Sequence, residues 1–398
     1  TYSYATFGEV VAWIVGWALV LEYAIAASAV SVGWSGYMVS LAEEIFRLDI
    51  PNTFVKGPFD PVAPGETPGL INIPAMLIGL VCMALLIIGT KESARFNAVL
   101  VAIKVSALLL FLALALPAVN AANFEPFSPN GFFAKEVMDP ISNNMVTVGV
   151  AAAAASIFFA YVGFDAVSTA AEETINPQRN IPIGLIGSLS ICTVIYLLVA
   201  AGAIGSIGAQ PGGALSQSDD ALAFVLREIG QGWAGDLVAI AAGLALPSVI
   251  LMMMFGQTRI FFVMARDGLL PDMFSRLHPK YGTPHVVTMC TGIFVALFAA
   301  LFPVGKLADI SNSGTLFAFF TVAVGVMILR RTDPTRHRPF RTPLFWLVCP
   351  LAAAGCVFLF SQLSGYTELM FLGWTLIGLV VYFTYSRGRS HVGRETAG

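Results

Sequence analysis

Apolar residues run along this chain in long stretches that are separated by short polar connections. A helix needs about 17 or more apolar residues to cross the hydrocarbon core of a bilayer. Stretches of that length cover residues 10–42, 73–89, 96–118, 144–171, 181–207, 233–258, 286–303, 308–329, 344–363 and 366–386. The pattern therefore predicts an all-α integral membrane protein with ten transmembrane helices and no soluble domain.

The composition narrows the possible functions. Hydrophobic residues make up 57% of the chain and charged residues 11%, whereas a soluble domain has roughly 25% charged residues. The net charge of -3 is too small to suggest a nucleic-acid partner. The chain has no GxxxxGK[ST] loop, no HExxH pair and no CxxC pair, so we expect no ATP hydrolysis, no metal site and no cofactor.

Basic residues predict the orientation of the chain. With ten spans, both ends lie on the same side of the membrane. The connections and tails on that side contain fifteen Lys and Arg, those on the opposite side contain five, and Lys104 lies inside a span. Because cytoplasmic connections are richer in Lys and Arg, we expect both ends in the cytoplasm.

The stretch 144–171 contains signs of a broken helix. Four aromatic residues surround Gly163 within the run Ser156 to Phe164, and Asp165 follows in a position suited to capping a second half-helix. A break inside a membrane is tolerated only where other groups replace the lost backbone hydrogen bonds. The free carbonyls of the first half would suit an ammonium group and the free N–H groups of the second a carboxylate. The alternative is a kinked helix in which Gly163 only relieves packing.

Two acidic residues close this stretch near its cytoplasmic end. Glu172 and Glu173 lie where the helix dipole disfavours negative charge, and Arg179, Arg259 and Arg266 are predicted on the same side. Ion pairs between these groups could form an inner gate. The alternative is a pair of solvated carboxylates that contribute little.

Two ionisable residues lie well inside other spans, where a charge is costly. Lys104 lies about 12 Å along its helix. It either extends its amine to the cytoplasmic interface, or is buried and exchanges a proton during a transport cycle. Glu22 lies about 18 Å along its helix. It is either a hydrogen-bonded structural acid or part of a substrate or proton site.

Three smaller features complete the interpretation. Residues 219–233 have apolar positions near helical spacing and predict an outer helix that acts either as a lid or as a connector. Met252, Met253 and Met254 offer adaptable apolar contacts. The chain begins at Thr1 without a methionine, so we expect a fragment of a longer protein.

Four segments of the chain resemble bacterial members of the cationic amino acid transporter family, within the amino acid, polyamine and organocation superfamily. They are TYSYATFGE, WIVGWALVLEYAIAASAVSVGWS, FFAYVGFDAVSTAAEETINPQRNIPIG and GQTRIFFVMARDGLLP. The resemblance covers essentially the whole chain, and its motifs are long and occur in order. It implies a LeuT-like fold of two inverted five-helix repeats followed by two helices.

Aligned with that fold, the chain forms a single transporter domain that contains the third to twelfth of twelve helices. Residues 10–118 would be the remainder of the first repeat, 144–329 the second repeat and 344–386 the two final helices. The first two helices of the family would be absent, and with them the glycine-rich backbone that holds the substrate carboxylate.

The resemblance also implies roles for individual residues. Backbone groups at Phe159, Ala160 and Tyr161, next to Gly163, would receive the substrate ammonium. Either Phe164 or Phe159 would close over the substrate as an outer gate.

Three side chains on other helices would complete the site. Lys104 would stand where related symporters hold a sodium ion, which implies coupling to protons. Glu22 and Met253 would border the pocket, and the methionine would favour small neutral side chains. Asp165, Glu172 and Glu173 would have gating or structural roles.

These observations predict a multi-pass protein of the cell membrane that imports amino acids by alternating access, coupled to protons, and that is not an enzyme. Its partners would be the amino acid, the proton and the lipid bilayer. A sodium-coupled carrier or an amino acid exchanger is the nearest alternative. A nontransporting membrane scaffold is the alternative from a different class.

Overall fold

Long apolar helices, described by a computed structural model, make up most of the chain. The structure describes residues 7–61, 67–89, 94–138, 145–164, 174–209, 214–335 and 340–389. The main helices are α1 (Glu9–Phe46), α2 (Ile73–Ile88), α3 (Ala94–Ala115), α4 (Val150–Ile157), α5 (Pro177–Ile207), α6 (Ala221–Glu228), α7 (Gly232–Arg266), α8 (His285–Leu301), α9 (Val304–Thr332), α10 (Phe345–Phe360) and α11 (Gly365–Val381).

Short elements connect these helices. Single helical turns occur at Asn52–Val55 and Ala214–Gln217, 3₁₀ turns at Leu116–Ala118, Ala121–Phe124, Phe158–Tyr161 and Asp272–Ser275, and a π-helical turn at Tyr382–Ser386. Two strands, β1 (Lys135–Met138) and β2 (Met145–Val148), pair antiparallel.

Within the described residues, six helices are long and apolar enough to cross a membrane: Glu9–Phe46, Asn97–Ala118, Pro177–Ile207, Gly232–Arg266, Val304–Thr332 and Gly365–Ser386. Four shorter apolar helices, Ile73–Ile88, Val150–Tyr161, His285–Leu301 and Phe345–Phe360, lie in the other four predicted stretches. The helical, multi-pass character is therefore confirmed. The count of ten spans stays a prediction.

The hairpin corrects two sequence-based predictions. The helix expected from residue 144 begins instead at Val150, and the fold is not purely helical, because β2 pairs with β1 in register Lys135 with Val148. Gly149 separates the strand from the helix with φ +126°, and a side chain there would collide with the Phe133 carbonyl. Glycine tolerates this backbone conformation, so the chain can change direction at that point.

The central helix is α1, and its middle third is almost completely buried. Ala24, Ala26, Ala27 and Ala29 are at most 1% exposed. Such small residues let neighbouring helices approach closely, and α1 packs against α7, α9, α2 and α8. This frame positions the remaining elements.

The outer helix α6 is fixed in place by packing and hydrogen bonds. Its Val225 and Leu226 are fully buried in an apolar cluster shared with α3 and α7. Arg227 donates to Asp220 at 2.7 Å and to Ser40 of α1 at 3.0 Å. Of the two roles predicted for residues 219–233, these contacts favour a fixed connector over a moving lid.

Reciprocal indole hydrogen bonds attach α11 to α1. Trp17 Nε1 donates to the Trp374 carbonyl and Trp374 Nε1 donates to the Trp17 carbonyl, both at 2.9 Å. Trp13 Nε1 donates to the Gly378 carbonyl at 2.8 Å. The close approach depends on Gly378, because a Cβ atom there would overlap the Trp17 indole.

Replacing Gly378 should therefore loosen α11. We expect Gly378→Ala to lower the melting temperature in detergent by several degrees, since overpacking costs typically about 1–3 kcal/mol. The matched control is Gly373→Ala in the same helix, where a Cβ would meet nothing within 4 Å. Equal melting temperatures for the two variants would contradict this role of Gly378.

The connection between α1 and α2 contains a carboxyl group with an unusual pKa. Burial is the largest cause and raises the pKa of Asp60 from 3.8 to about 6. The hydrogen bond from the Gly57 N–H lowers this pKa, as do the cations Lys56 and Lys306, whereas the nearby Asp219 raises it. The folded chain thus holds this proton more tightly than the unfolded chain. The resulting stability is fully present below pH 3.8 and is lost as the pH rises through about 6.

The variant Asp60→Asn should not show that loss. We expect its melting temperature to match the wild type near pH 4 and to exceed it increasingly up to about pH 7, in a pH series of thermal unfolding curves. A difference that stays constant over this range would show that Asp60 does not titrate there.

Candidate functional site

The helix that begins at Val150 ends well before the predicted end of its stretch. After Ile157 the chain forms a 3₁₀ turn, Val162 is extended with φ -61° and ψ 134°, and Gly163 has φ +102°. The predicted departure from the helical path is confirmed as far as Phe164. Asp165, Glu172 and Glu173, for which gating or structural roles were predicted, lie outside the described residues.

Helix α9 holds the carbonyl end of α4. The Asn312 side-chain amide donates to the carbonyl of Ala155 at 2.8 Å and to that of Ser156 at 2.9 Å. The carboxylate of Asp309, one turn earlier, lies close to the Ser156 side chain. Since Asn312 is fully buried, its amide takes the place of water for these backbone groups.

Helix α5 contacts the 3₁₀ turn from another side. The Tyr196 hydroxyl donates to the Ala160 carbonyl at 3.0 Å, and the hydroxyls of Tyr161 and Thr193 lie 3.0 Å apart. The rings of Tyr161 and Tyr196 meet edge to face at 5.6 Å. One carbonyl of the predicted ammonium site therefore has a protein hydroxyl as its partner in this structure.

Helix α7 meets the break through Met253. A Cβ atom built on Gly163 would lie 2.7 Å from the Met253 methyl group, so a side chain at this position would displace the end of Met253. Phe159 and Val162 pack against the same buried cluster, which includes Tyr23 of α1. The structure thus brings Gly163, Phe159 and Met253 together, and their role in substrate binding stays a prediction.

Aromatic rings cover the break on the α9 side. The Phe319 ring lies 5.1 Å from that of Phe164 and 6.0 Å from that of Phe158. Phe164, one of the two predicted gate residues, therefore packs against α9 with its ring tilted by 52° from that of Phe319.

Lys104 binds to the middle of α7. Its Nζ donates to the Ser248 hydroxyl at 3.0 Å, and Ser248 donates in turn to the Ala245 carbonyl at 2.8 Å. This contact turns the amine toward the centre of a 35-residue helix rather than toward a helix end. The interpretation in which the lysine extends to the interface is therefore disfavoured.

A proline inside α7 leaves one backbone carbonyl of this helix without its usual partner. Pro247 has no N–H, so it cannot bond to the carbonyl four residues earlier, at Gly243. The indole of Trp34 in α1 donates to that carbonyl at 2.9 Å. Ser248, which binds Lys104, is the residue directly after Pro247.

Glu22 lies against α9. It is fully buried, its main-chain carbonyl accepts from the Ser311 hydroxyl at 3.2 Å, and a Cβ atom built on Gly314 would lie 3.3 Å from its Cβ. Its described neighbours thus place it on the face of α1 that meets α9. Its predicted role at the pocket stays a prediction.

Sequence reasoning missed the polar run Ser311–Thr315. All five residues are buried within α9, and the run touches both Glu22 and the end of α4. Five small or polar residues in succession inside an apolar stretch were a usable signal. Tyr196 and Thr193 had no comparable signal, because isolated hydroxyl groups are common in membrane helices.

Two arginines expected at an inner gate have other neighbours in the described part of the chain. The Arg259 guanidinium lies 4.3 Å from the centre of the Phe255 ring, and Arg266 Nε lies 3.8 Å from Asp267 Oδ1. Both arginines were expected to pair with Glu172 and Glu173, which lie outside the described residues. Among the residues that the structure covers, no group of three or more His, Cys, Asp or Glu could hold a metal ion.

Comparison with known proteins identifies the family. The family model described as amino acid permease matches residues 1–385. This chain belongs to the amino acid permease family. It is 42% identical over 393 residues to the branched-chain amino acid permease BcaP of Bacillus subtilis (strain 168). The matched region covers 98% of this chain and 79% of that relative.

Other relatives of the permease carry different names. It is 40% identical over 392 residues to the methylthioribose transporter of Bacillus subtilis (strain 168), with 98% of this chain and 79% of the relative covered. It is 33% identical over 335 residues to the vacuolar cationic amino acid transporter 4 of Arabidopsis thaliana, with 84% and 52% covered. The permease therefore belongs with membrane transporters and not with enzymes, and an amino acid is the substrate class that the family indicates.

The permease should not tolerate a side chain at Gly163. We expect Gly163→Ala to reduce amino acid uptake at least tenfold, because alanine at positive φ costs roughly 1–2 kcal/mol and its Cβ would displace Met253. The measurement is initial uptake per folded transporter in proteoliposomes. Gly184→Ala in α5, where a Cβ meets nothing within 4 Å, is the control, and uptake by both variants at the wild-type rate would contradict the interpretation.

Proposed function

We propose that this permease imports amino acids across the cell membrane by alternating access, coupled to protons. The observation that carries the proposal is the interruption of the helical path at Gly163, beside Met253 and between α1, α5, α7 and α9. Irregular backbone inside a membrane is tolerated where it meets protein or a ligand. Binding and proton exchange would be the only chemistry.

The substrate ammonium would bind to the carbonyls of Phe159, Ala160 and Tyr161. The carbonyl end of α4 and of the following turn carries partial negative charge, and Ala160 already accepts from a neutral hydroxyl. An ammonium group would form stronger, charge-assisted hydrogen bonds. Phe164 would close the site toward the outside.

The walls of the site favour a neutral apolar side chain. Met253 and Phe159 are apolar, and Met253 is 5% exposed, with a flexible thioether that adapts to the shape of a ligand. Glu22 would border the pocket from α1. The name of the branched-chain permease relative supports the same class, so we propose isoleucine, leucine or valine as the first substrates to test.

We propose a LeuT-like arrangement of inverted repeats in a single domain, with the helices corresponding to the third to twelfth of that fold. Helix lengths support the correspondence: α1 and α7 have 38 and 35 residues, and α2 and α8 have 16 and 17. The remainder of the first repeat would span 10–118, the second repeat 144–329 and the final helices 344–386. Both ends of the chain would face the cytoplasm.

Lys104 would couple transport to protons. Its amine reaches Ser248, which lies five residues before Met253 on α7, so a change of charge on the amine would be felt close to the pocket wall. A fixed ammonium would also repel sodium from this position. The sodium-coupled carrier and the amino acid exchanger are therefore less well supported.

A second candidate function comes from the methylthioribose transporter, which is nearly as similar as the branched-chain permease. Methylthioribose is a neutral thioether sugar without an ammonium group. It could use the methionine wall of the site but not the charge-assisted bonds to the carbonyls.

Uptake into proteoliposomes distinguishes these functions. We expect the permease to accumulate labelled isoleucine when the outside is acidic, equally with and without sodium, and not to accumulate methylthioribose. Accumulation of methylthioribose alone would support transport of methylthioribose as the function. Uptake of isoleucine that depends on sodium would contradict proton coupling. Accumulation of neither solute would support the nontransporting membrane scaffold.

The coupling role predicts a specific defect in Lys104→Ala. We expect this variant to lose at least tenfold of the accumulation driven by a pH gradient but to retain exchange of internal for external isoleucine, because exchange needs no net proton movement. Lys135→Ala in the exposed strand β1 is the control. A variant of Lys104 that still responds fully to the pH gradient would refute the assignment.

A further inference from the structure

The two parts of the broken segment share α9 as a neighbour but differ in their other neighbours. Helix α4 lies on α9 and α10, where Ala155 shares a buried cluster with Leu316 and Leu363. Phe159 and Val162, less than two turns later, pack on a cluster to which α1 and α7 contribute, and Phe159 also packs on a cluster with Leu307 and Ile310 of α9. Helix α9 therefore contacts both parts, and α1 and α7 become additional neighbours where the α-helix changes to the 3₁₀ turn.

The attachment of α4 to α9 is polar as well as apolar. Asn312 donates to two consecutive carbonyls in the last turn of α4, and the carboxylate of Asp309 lies close to the Ser156 side chain. Because a buried amide that loses its partners is costly, these contacts fix α4 both in position and in rotation about its axis.

Helix α9 is itself attached to the central helix. Ser311, next to Asn312, donates to the main chain of Glu22 at 3.2 Å, and Gly314 lets α9 approach the Ala18 carbonyl closely. The run Ser311–Thr315 therefore joins α4 to α1. Helix α5 lies outside this arrangement and reaches the broken segment through the hydroxyls of Tyr196 and Thr193.

We infer that Asn312 is a positioning residue that fastens α4 to the frame of α1 and α9, so that α4 keeps its place on α9 during transport. The segment Phe158–Gly163 is then the hinge, and α5 moves relative to it. Asn312 acts through the backbone of Ala155 and Ser156 and does not touch the substrate. The inference rests on the proposed alternating-access function.

The first test separates positioning from a merely structural role. With the hydrogen bonds of Asn312 removed, the carbonyls beyond Ser156 should lose their alignment, so we expect Asn312→Val to raise the KM for isoleucine uptake at least tenfold. Vmax per folded transporter should stay within twofold, and Asn312→Gln should restore part of the affinity.

A matched control is available at another helix end. The Asn123 side-chain amide donates to the Gly205 carbonyl at 2.8 Å, remote from the break in sequence, and Asn123→Val should leave the KM unchanged. If Asn312→Val has a wild-type KM and only a smaller folded fraction, Asn312 is structural and the inference is wrong.

The second test keeps Asn312 and so does not depend on whether its variants fold. Two cysteine pairs, Ser156→Cys with Asp309→Cys and Tyr161→Cys with Thr193→Cys, replace side chains that lie close to each other. The native cysteines Cys82, Cys192, Cys290, Cys349 and Cys356 are replaced first. A bifunctional methanethiosulfonate reagent, with a spacer long enough to bridge the space left by the tyrosine ring, then links each pair through two disulfides, and excess dithiothreitol releases it.

The inference predicts opposite results for the two pairs. Linking α4 to α9 through positions 156 and 309 should leave at least half of the uptake of the unlinked form. Linking the hinge to α5 through positions 161 and 193 should reduce uptake at least tenfold, reversibly. Inhibition by the first link, or full uptake with the second, would overturn the inference.

The wild type is measured in parallel with both tests. If it fails to accumulate isoleucine, the proposed function is at fault. If it accumulates isoleucine and the link between α4 and α9 blocks uptake, only the positioning inference fails.

Discussion

The structure depends on one constraint, which is that backbone polar groups within a membrane need hydrogen-bond partners. A helix meets this requirement internally, and the segment around Gly163 does not. Its neighbours supply what is missing: the Asn312 amide serves two carbonyls of α4 and the Tyr196 hydroxyl serves Ala160. The break is stable because α5 and α9 satisfy its backbone while the centre of the segment stays irregular.

The same solution recurs at Pro247, within the continuous helix α7. Pro247 frees the carbonyl of Gly243, and Trp34 donates its indole N–H to that carbonyl. Ser248 beside it holds Lys104. At each of these places a backbone carbonyl without its usual helical partner lies in an apolar environment. A side chain from another helix donates a hydrogen bond to that carbonyl and so fixes the distance between the two helices. Close packing of small residues along α1 makes these contacts possible.

The sequence was sufficient for features that depend on local chemistry. Glycine among aromatic residues in an apolar stretch predicted the break at Gly163, and a lone lysine in a span singled out Lys104. The partners could not be predicted in the same way, because Asn312, Tyr196 and Ser248 meet the site only through helix packing. The strand Met145–Val148 was missed because its apolar residues extend the pattern of the following helix, and only pairing with Lys135–Met138 distinguishes the two.

The most direct test of the central claim is a structure of the permease in a lipid nanodisc with isoleucine bound, determined by electron cryomicroscopy. The account predicts the ligand ammonium at a hydrogen-bond distance of about 3 Å from main-chain carbonyls within Phe159–Tyr161, with the helical path interrupted at Gly163. A ligand bound elsewhere, or a continuous helix through Gly163, would contradict it.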